Sequence, residues 1–310
     1  MYLDHYGLNT LPFQVTPDTE FLFLSSHMQE SINVVLVALM SGEVFVKVTG
    51  EVGTGKTLLC RQLLTTLDRM GWVTCYILNP LMGPVDAYRA FADELGLSGY
   101  QEEEGLQAFV KRLQDHLLAL HGAGKRVVLF VDEAQTLADA TLEAIRLMTN
   151  LETAKQKILQ VVLLGQPELD VRLASQHNLR QLQQRIAFSA LIRPLQMQET
   201  ERYIRHRLQV AGGQGREVIS RRGCRRIYWY SGGVPRLINI LSHKALLAAF
   251  GSGDAQVQAR HVLLAAQDTE SVRRLALWRW GILLRYLLYG MAGVGLVLVI
   301  GLLVSGRWRP

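Results

Sequence analysis

Residues Gly50-Glu51-Val52-Gly53-Thr54-Gly55-Lys56-Thr57 follow the spacing G-x-x-x-x-G-K-[ST]. The spacing matters chemically. Glycines let successive backbone N–H groups turn inward around phosphate oxygens, and a helix starting behind them adds its positive end. Lys56 is then placed to reach β and γ phosphates, and the Thr57 hydroxyl to hold Mg2+. The expected phosphate contacts run from Gly50 through Leu58. Further along, "RVVLFVDE" delivers two acids in succession. Asp132 suits a magnesium site reached through water, and Glu133 suits polarising an attacking water. A phosphate loop with a paired acid speaks for hydrolysis of a nucleoside triphosphate rather than for sensing alone.

Such chemistry needs a sheet to deliver it. Five short runs, "VFVKVT", "WVTCYIL", "RVVLFV", "ILQVVLL" and "IAFSALI", read as strands. The first four are nearly continuous in apolar or β-branched residues, the pattern of strands covered on both faces. Helical stretches separate them, which predicts an α/β fold with a five-stranded parallel sheet. The loop follows the first strand, and the helix leaving it carries Leu59, Leu63, Leu67 and Met70 along one face. Asp132 and Glu133 fall at a strand's C-terminal end, where open α/β sheets place their chemistry. After Pro194 four helical segments divided by glycines predict a small helical domain over 194–270, following a core over 31–193 and an N-terminal segment over 1–30. Glu102 to Glu104 read as a solvated acidic run, and no histidine pair carries metal-ligand spacing. "HGAGK" lacks the frame of a second phosphate loop and reads as a turn.

The three cysteines, Cys60, Cys75 and Cys224, stand apart, as small core residues do. The net charge of +6 is concentrated at one end. Residues 271–310 hold six arginines and no acid, leaving 27 basic against 27 acidic residues before them. Nucleic acid is therefore not an expected partner, and "SRRGCRR" reads as a solvated face. Tyr286 to Gly306 run uncharged for 21 residues, about 31 Å as a helix, with Trp278, Trp280, Tyr286 and Tyr289 at one end and Trp308 at the other. That predicts a transmembrane helix over 286–306 behind a basic linker over 271–285. Four arginines before it and two after it orient the large domain to the cytoplasm. The first residues, "MYLDHYGLNTLPF", carry neither the basic start nor the apolar run of a signal peptide.

"GEVGTGKT", "FVDEAQ", "LLGQPEL", "GGVPR" and the opening "YGLNTLPFQVTPDTEFLF" together resemble the ExeA/GspA-type AAA+ ATPases of bacterial secretion and pilus systems. The resemblance covers about residues 1–270. It implies an AAA+ P-loop fold with a helical lid, ATP with Mg2+ as ligand, and a homo-oligomeric ring or filament at the inner membrane. Pilus or secretion assembly proteins are the implied partners. It places Gln166 at sensor 1, touching the γ-phosphate or the water, and Arg236 at sensor 2. It places an arginine finger before the fifth strand, where Arg180 and Arg185 both stand and Arg185 is adjacent to the strand. It sets Pro12 and Phe13 near the adenine. Proteins of this type continue past the membrane span into a peptidoglycan-binding domain; cell-wall binding is not implied for this chain.

Overall fold

The structure is a computed structural model that describes residues 2–14, 20–78, 82–97, 105–151, 157–213 and 215–272. The chain divides into two compact units, Thr16–Leu195 and a second composed of Met1–Val15 with Gln196–Pro310.

The first unit is built on five parallel strands, β1 (Phe45–Gly50), β2 (Val73–Ile77), β3 (Val127–Val131), β4 (Leu159–Gly165) and β5 (Ile186–Ile192), in the order β2-β3-β4-β1-β5. All five are the runs expected from sequence. Alternate side chains serve opposite faces. Val46, Val48, Val128, Phe130, Val162 and Leu164 pack with Ile32, Val35, Leu59 and Leu63 of α2 (Ser26–Met40) and α3 (Lys56–Arg69). Phe45, Leu129, Val131, Val161 and Leu163 pack on the other face with α4 (Pro84–Glu94), α5 (Leu106–Gly122), α6 (Asp139–Met148), α7 (Pro167–Ser175) and α8 (Arg180–Arg185). β3 and β4, inside the sheet, are buried at every residue. β2 was expected to be covered on both faces but is an edge strand and only partly buried. Met70 also departs from the expected apolar stripe. It follows the last turn of α3 and is 44% exposed, while Leu59, Leu63 and Leu67 are buried.

The second unit contains α9 (Met197–Val210), α10 (Arg221–Ser231), α11 (Pro235–Gly251) and α12 (Ala259–Gln267), the four helical segments anticipated after Pro194. A short α1 (Leu3–Tyr6) and the residues after it pack on these helices. Tyr2 Oη lies 2.9 Å from His243 Nδ1. The buried Arg207 donates to the Pro12 carbonyl at 2.5 Å and to Tyr203 Oη at 2.9 Å; Tyr203 donates to Asn239 Oδ1, whose Nδ2 in turn donates to the Gln14 carbonyl at 3.1 Å. The N-terminal segment, drawn from sequence as one piece over 1–30, thus divides between the two units at Val15 and Thr16. The expected membrane span, nearly all of its basic linker, and the acidic run at 102–104 lie outside the described residues. Among the described residues no helix is long and apolar enough to cross a membrane.

Candidate functional site

Strand order decides what meets what. β4 lies between β1 and β3, with Thr49 in register with Gly165 and Val131 with Leu163. The C-terminal ends of three strands therefore open on one edge: β1 into the glycine loop, β3 into Asp132-Glu133, and β4 into Gln166. Strand order reverses between β1 and β4, the position at which open α/β sheets hold ligands.

Gly53 (φ 79°) and Gly55 (φ 109°) adopt backbone conformations that L side chains rarely reach, and these turn the loop into α3. Thr54 Oγ1 donates to the Glu51 carbonyl at 2.8 Å. Lys56 opens α3, is only 6% exposed, and donates from Nζ to the carbonyls of Gly50 (2.7 Å) and Glu51 (3.2 Å). Burial pulls its ammonium below the ordinary lysine value, opposed by the attraction of Glu133, Asp132, Glu51 and Glu168. Those four carboxylates favour a cation at this point, and an incoming polyphosphate would add to them.

Asp132, 2% exposed, stands 3.4 Å from the Thr57 hydroxyl through Oδ2, while Oδ1 accepts the Glu133 backbone N–H at 2.8 Å. A carboxylate and a hydroxyl side by side are hard oxygen donors of the kind Mg2+ takes when phosphates and water complete its shell. The pair fits that ion, and among the described residues no cluster of three or more His, Cys, Asp or Glu offers a rival metal site.

Glu133 is, among the described residues, the one non-glycine with positive φ, at 50°. Its Oε2 accepts from Gln135 Nε2 at 2.5 Å and from Gln166 Nε2 at 3.1 Å. Gln166 caps the start of α7 and is half-buried. The expected base and the expected sensor are therefore in direct contact.

Two residues here escaped the sequence reading. Tyr76, on β2, donates its hydroxyl to Asp132 Oδ2 at 3.0 Å, and burial together with that carboxylate pushes its pKa up. Gln135 ends the run "FVDEAQ". A polar side chain two residues past the paired acid was the available signal for Gln135. For Tyr76 it was a hydroxyl near the end of the strand beside β3.

Of the remaining expected residues, Arg180 and Arg185 belong to the same unit as the sheet, and Arg236, Pro12 and Phe13 to the other. Arg185 ends α8 and donates from Nη1 to Asn150 Oδ1 (2.8 Å) and Thr149 Oγ1 (3.1 Å), whereas Arg180 at the start of the same helix is exposed. Arg236 is the second residue of α11, exposed, in the helical unit. Pro12 and Phe13 are buried, also in that unit. Cys60, Cys75 and Cys224 are free and buried, and burial raises the thiol of Cys75 to about 12.

Residues 39–173 match the family described as AAA domain. Over 283 residues the chain is 41% identical to general secretion pathway protein A of Aeromonas hydrophila, an alignment that takes in 91% of this chain and 51% of that protein. The chain thus spans about half the length of this relative. Among solved structures, Cdc6p from Pyrobaculum aerophilum superposes with a TM-score of 0.62 at 18% identity, covering 82% of this chain and 71% of that one. The Aeropyrum pernix ORC2 protein, solved as ADPNP-ADP complexes, superposes at 0.57 with 14% identity, covering 82% and 72%. At such identities these two show the fold alone, an α/β P-loop AAA fold with five parallel strands.

Proposed function

From a chain that carries an AAA domain and resembles general secretion pathway protein A over nine-tenths of its length, we propose a membrane-anchored ATPase whose turnover drives or gates assembly of a secretion apparatus or type IV pilus. One observation carries the catalytic part: Glu133, at the end of β3, shares a hydrogen bond with Gln166 at the end of β4, on the sheet edge that also bears the phosphate loop.

In this reading Gly50 to Leu58 wrap the triphosphate and Lys56 neutralises its β and γ oxygens. Thr57 and Asp132 would hold Mg2+, whose charge withdraws electron density from the phosphates when bound. Glu133 takes a proton from the attacking water, and Gln166 reads the γ-phosphate. Arg236 reports phosphate loss to the helical unit, Pro12 and Phe13 border the adenine, and Arg185 (or the exposed Arg180) completes a neighbouring protomer's site in a ring or filament. The finer assignment, to biogenesis of a mannose-sensitive haemagglutinin pilus at the bacterial inner membrane, rests on motif resemblance. It takes residues 286–306 as the anchor and pilus or secretion assembly proteins as partners.

Steady-state ATPase assays on the purified chain test the enzyme. Lys56→Ala and Glu133→Gln should each lower turnover by at least about 100-fold. Turnover in Glu133→Gln equal to wild type refutes hydrolysis at this site. Affinity capture from membranes with Glu133→Gln, which should stall the ATP state, tests the partner; recovery of DNA-processing proteins in place of pilus or secretion subunits refutes the assembly role.

One observation favours a second reading, a DNA-associated helper ATPase: Arg221, Arg222, Arg225 and Arg226 of α10 are all exposed. A gel shift decides, since phosphate contacts by these arginines would make binding steeply salt-dependent.

A further inference from the structure

We propose that Gln135 is a positioning residue for the base, holding one chosen oxygen of the Glu133 carboxylate and tying its placement to Gln166. The inference rests on the hydrolytic reading above and adds a residue to it.

Both ends of the Gln135 side-chain amide are used. Its Oε1 accepts the backbone N–H of Gln166 at 3.0 Å, which fixes the orientation of the amide and turns the NH2 group to Glu133 Oε2 at 2.5 Å. The Gln166 side chain donates to the same Oε2 at 3.1 Å. Gln135 is also held through its main chain, where its carbonyl accepts from Arg172 Nη1 at 2.5 Å. Arg172 is ion-paired with Asp139, which accepts from Asn178 Nδ2 at 3.0 Å. The site is tight: a Cβ on Gly165 would stand 3.1 Å from Gln135 Oε1. Residues after β3 and β4 thus meet at the Gln135 side-chain amide, while α7, braced by Asp139 of α6, holds its main chain.

A carboxylate held by a single donor can rotate about Cγ–Cδ and exchange its two oxygens. Here two donors from separate elements hold Oε2, so Oε1 is the oxygen presented to the water. The same bonds give a route of coupling. When the Gln166 side chain turns to the γ-phosphate, its backbone N–H still holds Gln135, and Gln135 still holds Glu133. The base keeps its aim at the moment its other donor leaves.

The test uses the purified full chain with Mg·ATP and compares wild type, Gln135→Ala, Gln135→Glu and Glu133→Gln. Affinity is read with a fluorescent ATP analogue, and kcat at one fixed pH. Gln135→Ala should lower kcat about 10- to 100-fold while leaving affinity within about threefold, because aim is lost and phosphate contacts are not. Gln135→Glu supplies a readout that a scaffolding role would not move. It keeps the size of the side chain and an acceptor for the Gln166 backbone N–H, but sets a carboxylate oxygen where the NH2 donor to Glu133 stood. Its kcat should therefore fall at least as far as that of Gln135→Ala, whereas a scaffolding role would leave it near wild type. A wild-type kcat in Gln135→Ala beside a stalled Glu133→Gln overturns this proposal alone, as does a wild-type kcat in Gln135→Glu. Where Gln135→Ala fails to fold, the kcat of Gln135→Glu decides by itself. A wild-type chain without turnover, or one indifferent to Glu133→Gln, overturns the hydrolytic reading and this proposal together.

Discussion

The hydroxyl of Tyr76, from β2, donates to the same Asp132 oxygen that faces the Thr57 hydroxyl, at 3.0 Å and 3.4 Å respectively. A carboxylate this buried is aimed by whatever donates to it, and outer partners of metal ligands are worth about 10- to 100-fold in metal affinity. Tyr76→Phe keeps the ring and removes the donor. The Mg2+ concentration giving half-maximal ATP turnover should rise by about that factor, measured by titrating Mg2+ at fixed ATP.

The loop's two kinds of glycine should fail differently. A Cβ on Gly50 would sit 2.9 Å from the Ile192 carbonyl of β5, an immovable backbone atom, so Gly50→Ala should cost about 1–3 kcal/mol in urea denaturation. Gly55→Ala meets only the end of the flexible Met28 side chain at 2.8 Å, but φ 109° strains any L residue. Adding Met28→Ala to Gly55→Ala should therefore leave nucleotide affinity unrestored in calorimetric titration.

Arg207 ties the N-terminal segment to α9 through the Pro12 carbonyl and Tyr203. Arg207→Met keeps much of the packing and leaves those buried acceptors without a charged donor. Thermal unfolding should show a loss of about 2–4 kcal/mol, and limited proteolysis should cut within residues 2–14 sooner than in wild type.

Acid should weaken the helical unit through its buried histidines. Burial depresses the pKa values of His243 and His206, the second helped by the Arg207 charge. Between 6.5 and those lower folded values the unfolded chain binds more protons than the folded one, so stability present above pH 6.5 is lost as pH falls through the folded values. Melting temperature should decline from pH 7.5 to pH 5.5, about the histidine window, and His243→Gln should flatten part of that decline. Asp254 and Asp268, held low by Arg260 and Lys244, act only below the usual carboxylate range.

The sheet was readable because burial on both faces writes itself as unbroken apolar runs, as in β3 and β4. Edge position is not written that way. "WVTCYIL" carries the residues of a covered strand, yet β2 ends the sheet, because strand order depends on crossovers that periodicity does not encode. The phosphate loop and the paired acid were legible because their chemistry needs fixed spacing along the chain. Gln135 and Tyr76 were not, since their partners are reached across strands, where spacing carries no information. The join of residues 2–14 to α9 and α11 was hidden for the same reason: Arg207 and Asn239 reach the carbonyls of Pro12 and Gln14, and the Tyr2 hydroxyl meets His243, all far apart along the chain.

Lys56 serves its own loop as well as any phosphate, since its ammonium bridges the Gly50 and Glu51 carbonyls. Deleting that charge removes a ligand contact and also unfastens a latch that keeps the loop curled. Acylation of the same nitrogen would do both at once without altering the sequence. Comparing Lys56→Ala with Lys56→Arg would separate the latch from the contact, because a planar guanidinium keeps the charge but cannot close over two neighbouring carbonyls in the same way.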